Sequence, residues 1–88
     1  GFKLPLGVNP VYNSLRFYPN PVKTVLNIQV SEKIESLKVV DIQGRVLLKI
    51  FPDSAHFNVN ISHLSRGSYF LIAESAYSKY GAIFTRRY

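Results

Sequence analysis

The sequence predicts an all-β fold: an immunoglobulin-like antiparallel β-sandwich of about seven short strands, held together without a disulfide. Three observations predict it. Apolar and polar residues alternate with a period of two in Leu26-Asn27-Ile28-Gln29-Val30 and in Phe57-Asn58-Val59-Asn60-Ile61, the pattern of strands with one packed and one wet face. Turn signals recur about every eight to twelve residues. No stretch sustains the 3.6-residue apolar period of a long helix. The chain has no Cys, so the sheets must close through aliphatic and aromatic packing.

Taken in order, residues 1–13 hold two prolines and two glycines in an irregular apolar mix, and read as a linker or arm from a preceding domain. The folded unit is assigned to residues 14–88. Leu15 and Phe17 share a face opposite Arg16. In Tyr18-Pro19-Asn20-Pro21, two residues with fixed φ and no amide proton flank an asparagine, which makes a rigid corner between extended segments. The Leu26 strand follows, then a polar stretch over 31–36 that reads as a turn. Segments 37–42 and 45–50 contain the apolar runs Val39-Val40 and Val46-Leu47-Leu48. Either they are central strands covered on both faces or the phase shifts within them. Gln43-Gly44 joins the two as a hairpin link, and Pro52-Asp53-Ser54 marks the next turn.

After the Phe57 strand, Ile61 and Leu64 are three apart, which suits a single helical turn closed by Gly67. In the strand over 68–74, Tyr69 and Leu71 fall on the apolar phase, whereas Phe70 and Ile72 fall on the other. If both point outward they make an apolar spot suited to a partner or a homodimer contact. A turn over 75–79 leads to a last strand from about residue 80 to 86.

Length and composition bound the function. Eighty-eight residues make one domain, and 47% apolar with 14% aromatic residues is the composition of a folded chain. There is no Met, even at position 1, so the chain reads as a processed piece or excised domain of a longer protein. No apolar run reaches the length of a transmembrane helix. The formal net charge of +6 favours anionic partners, but the basic residues are scattered, as on ordinary solvated surface. Nucleic-acid binding is not expected, since no motif of a known module accompanies the charge. Five carboxylates, Glu32, Glu35, Asp41, Asp53 and Glu74, converge on nothing recognisable in sequence, and His56 and His63 lack a third ligand at a metal-binding spacing. The five glycines are isolated, with no phosphate loop. No catalytic, cofactor or metal site is expected, and the chain is not read as an enzyme.

Four motifs in order resemble the C-terminal sorting domain of the type IX secretion pathway, also called the Por secretion signal. They are the corner Tyr18-Pro19-Asn20-Pro21 with Leu26-Asn27-Ile28, then Asp41 with Gly44-Arg45, then the block from Asn60 through Leu64 to Gly67, Tyr69 and Phe70, and last Ile83-Phe84-Thr85-Arg86-Arg87. The resemblance covers roughly residues 15–88. Two positions depart from it: Ser65 stands where the family usually has Pro, and Ile72 where a Lys is common. The resemblance implies a folded address label that takes an N-terminal cargo domain through the periplasm to the type IX translocon and its shuttle components. It further implies removal by a sortase-like cysteine protease and delivery to the outer membrane, cell surface or exterior. The last strand, with Ile83, Phe84, Arg86 and Arg87, is the expected translocon-recognition element. The alternative is a cell-surface adhesion or glycan-binding module, because the same sandwich serves those functions.

Overall fold

A computed structural model describes residues 15–87. The arm expected over residues 1–13 lies outside the described residues, as does Tyr88. Six strands form: β1 (Arg16–Tyr18), β2 (Val25–Val40), β3 (Val46–Ile50), β4 (Ser54–Asn60), β5 (Gly67–Ser75) and β6 (Lys79–Arg86). The all-β class is as expected, and every pairing between these strands is antiparallel. Six strands stand in place of about seven among the described residues, because one of them is unusually long.

That strand is β2. Its first half lies between β1 and β4, with Ile28 opposite both Phe17 and Phe57. Its second half lies between β3 and β5, with Val39 opposite both Leu48 and Leu71. At about 3.3 Å per residue, a straight strand of this length would reach ~50 Å. The longest dimension of the fold is 43 Å, so β2 bends. The bend falls at Ile34, which is wholly buried, pairs with Ser54 on one side and Ser75 on the other, and marks a register shift in both ladders. The turn expected over 31–36 is therefore absent. That stretch contains neither Gly nor Pro, and Ile34 holds its middle in the core. The sheet runs β1-β2-β5-β6, with β3 and β4 also on β2. It curls until the end of β6 meets Val22 through an isolated parallel bridge.

The apolar runs also resolve. Val39 and Val40 are both buried, whereas β3 exposes Val46 and Leu47 and packs Leu48 and Ile50 on the core. The register moves from Val39–Leu48 to Val40–Val46, so Leu47 is an extra residue in a β-bulge. The connection spans residues 41–45, longer than a Gln43-Gly44 link, and Ile42 sits exposed in the turn rather than ending a strand. Gly44 donates its N–H to the Asp41 carbonyl (3.0 Å) at a φ of +87°, which glycine adopts without steric cost. After β4 the Leu64 N–H donates to the Ile61 carbonyl (3.0 Å) and both side chains are buried, but this is a turn rather than a helical one, and Gly67 (φ +148°) opens β5 instead of closing the turn.

The core joins both halves of β2. Leu26, Ile28, Leu37 and Val39 meet Val59, Ile61, Tyr69, Leu71, Tyr80 and Phe84.

Candidate functional site

The motif residues gather at two places. The first is a clasp on the end of β6. Thr85 donates its N–H to Asn20 Oδ1 (3.2 Å) and accepts from the Val22 N–H (2.9 Å), and the Arg87 N–H donates to the Val22 carbonyl (3.0 Å). The proline corner therefore holds the terminal strand through three hydrogen bonds. Arg86 adds two more, from Nε to the Ile61 carbonyl (3.0 Å) and from Nη2 to the Ser62 carbonyl (3.1 Å). The Ile61 N–H in turn donates to the Thr24 carbonyl (2.8 Å), so three segments distant in sequence close on one another. Pro19, Asn20 and Pro21 are exposed, and the Asn27 side chain donates to the Tyr18 carbonyl (3.3 Å). Both proline peptides of the corner are cis.

The expected recognition residues divide by face. Ile83 and Arg87 are exposed. Phe84 is wholly buried, stacked on Tyr69 at 5.5 Å between ring centroids. The Tyr69 hydroxyl donates to the Ser65 carbonyl, which secures the loop before Gly67. Arg86 is half-buried and directed inward to its two carbonyls.

The second place is a groove of about 670 Å³ between the 41–45 turn and the 63–69 segment. It brings together Asp41, Arg45, Leu64, Gly67 and Tyr69, residues of two motifs separated in sequence. Asp41 organises its side. Oδ1 accepts the backbone N–H groups of Gln43 and Arg45 (2.9 Å each), and Oδ2 accepts Arg45 Nε (2.8 Å). The Arg45 backbone N–H, opposed by burial and aided by the guanidinium and the Gln43 N–H, holds the Asp41 carboxyl below the usual carboxylate range. The carboxylate is thus committed to the turn.

Elsewhere, the Tyr80 hydroxyl donates to Glu32 Oε2 across the bend of β2, lowering the Glu32 pKa and raising that of Tyr80. Lys33 pairs with Asp53 (3.0 Å), which raises the Lys33 pKa. His56 and His63 are both exposed. Among the described residues no three His, Asp or Glu side chains gather as metal ligands, and no helix is long and apolar enough to cross a membrane.

The sequence reading missed the clasp partners. Its one legible signal is parity: Tyr80, Ala82, Phe84 and Arg86 alternate onto one face, so Arg86 falls on the inward phase. The partners it meets are backbone carbonyls, and these leave no mark in a sequence.

The motif residues of this all-β module shape its turns and clasp its terminal strand. Residues 16–82 match the model of the secretion system C-terminal sorting domain, and the chain belongs to this family, the sorting domains of type IX secretion. Membership implies interaction with the type IX secretion machinery and export to the cell surface or extracellular space. The match ends before Ile83, so all four recognition candidates, Ile83, Phe84, Arg86 and Arg87, lie beyond it. The comparison with curated proteins found no match.

Proposed function

We propose that residues 14–88 act as a folded, non-catalytic address that passes cargo from the periplasm through the type IX outer-membrane translocon. The observation that carries this reading is the clasp: the family's corner motif and the terminal strand form one surface, which a receptor can read only when the chain is folded. In this reading Ile83 and Arg87 touch the translocon or a shuttle component, while Phe84 and Arg86 fix the strand they stand on. A cargo domain precedes residues 1–13, and a sortase-like cysteine protease cuts within that arm at the cell surface. The test is a fusion of residues 1–88 behind a periplasm-targeted fluorescent reporter. Reporter at the surface or in the medium of a type IX-competent strain, and not of its translocon-deficient mutant, supports the reading. Periplasmic retention of folded fusion in both strains would count against it.

A further inference from the structure

We propose that the open edge of β6 docks an extended, net acidic segment of another polypeptide, which joins the sheet as an additional strand with apolar side chains on the face beside Ile83. This rests on the reading of the chain as a sorting signal and names how that signal is held. On one side β6 pairs with β5 along its whole length. On the other, Asn20 and Val22 cover only its end, at Thr85 and Arg87. Thr85 turns its N–H and C=O toward that side. Lys79, Gly81 and Ile83 share its parity and turn theirs the same way, without a backbone partner among the described residues. Such an edge is a template for strand addition.

The outer face beside this edge is apolar. Ile83 lies opposite Phe70, Phe70 opposite Val40, and Val40 opposite Val46, one row across four strands. Ile83, Phe70 and Val46 are 58%, 38% and 53% exposed. The unpaired backbone edge calls for a polypeptide, exposed Ile83 with Phe70 behind it for apolar side chains on the outer face, and the +6 charge for a net acidic segment. A second copy fits less well. Antiparallel pairing of two β6 edges centred on Gly81 and Ile83 would bring Lys79 of each copy beside the Arg86-Arg87 end of the other.

Two arms test this. In the first, the 88-residue chain is titrated by NMR with a short synthetic peptide alternating valine and glutamate, and with one alternating valine and lysine. The Val-Glu peptide should shift and protect the Lys79, Gly81 and Ile83 amides, the effect weakening with salt. No shift, equal shifts with both peptides, or self-association through the same amides would overturn the proposal. In the second, the reporter fusion carries Ile83→Pro, which removes only an outward N–H, or Ile83→Glu, which places a like charge against an acidic partner. Loss of export by a folded variant, with Ile83→Val exported normally, is expected, and normal export of either disruptive variant would overturn it. Peptide binding in the first arm together with retention of the unmodified fusion would instead sink the sorting reading and leave the edge site standing.

Discussion

At the scale of single residues, Asp41 shows what the motif acids do. Its carboxylate accepts three hydrogen bonds from its own turn. Because its pKa in the fold is lowered, its contribution is present above the unfolded value of about 3.9 and lost as pH falls through the folded value. Thermal melts of the chain should therefore lose stability on acidification below about pH 4, and Asp41→Ala should melt lower at neutral pH and respond less to acid. The Tyr80–Glu32 bond brackets a second window. The lowered Glu32 pKa means that its stabilisation fades as pH falls below the ordinary carboxylate range. The raised Tyr80 pKa means that it also fades as pH rises through a folded value above about 10. Melts of Tyr80→Phe should be flatter than those of the unmodified chain at both ends.

At the scale of elements, β6 is anchored from inside by Phe84 and at its end by the clasp. Phe84→Ala leaves a cavity beside Tyr69 and should cost about 3–5 kcal/mol in urea unfolding. Arg86→Ala removes the two guanidinium bonds to the 61–62 turn. In hydrogen exchange the Thr85 and Arg87 amides, held by Asn20 and Val22, should then exchange faster while amides of central β5 keep their protection. Unchanged exchange at both amides would mean that the corner holds the strand without Arg86. The alternation of Leu26, Ile28, Val59, Tyr69 and Leu71 made the packed faces legible, since burial on one side of a pleat imposes period two. The bend of β2 was not legible. A polar stretch looks alike whether it turns or crosses between partners, and only the burial of Ile34 by strands far along the chain decides which. The run Val46-Leu47-Leu48 hid a bulge for a similar reason: one extra residue shifts the phase that periodicity relies on.

At the scale of the whole molecule, the motifs are legible in sequence while their purpose is spatial. Asn20 and Thr85 are 65 residues apart and meet only because the sheet curls. Asp41 and Tyr69 share a groove because β2 carries the first hairpin to the side of β5. In the proposed function the fold itself is the signal, with the terminal strand as its read-out. The most direct measurement compares export of two reporter fusions in a type IX-competent strain: one with residues 1–88, the other lacking residues 83–88. The first should reach the surface or medium and the second should stay in the periplasm. Export of the truncated fusion at the level of the intact one would contradict the proposed function.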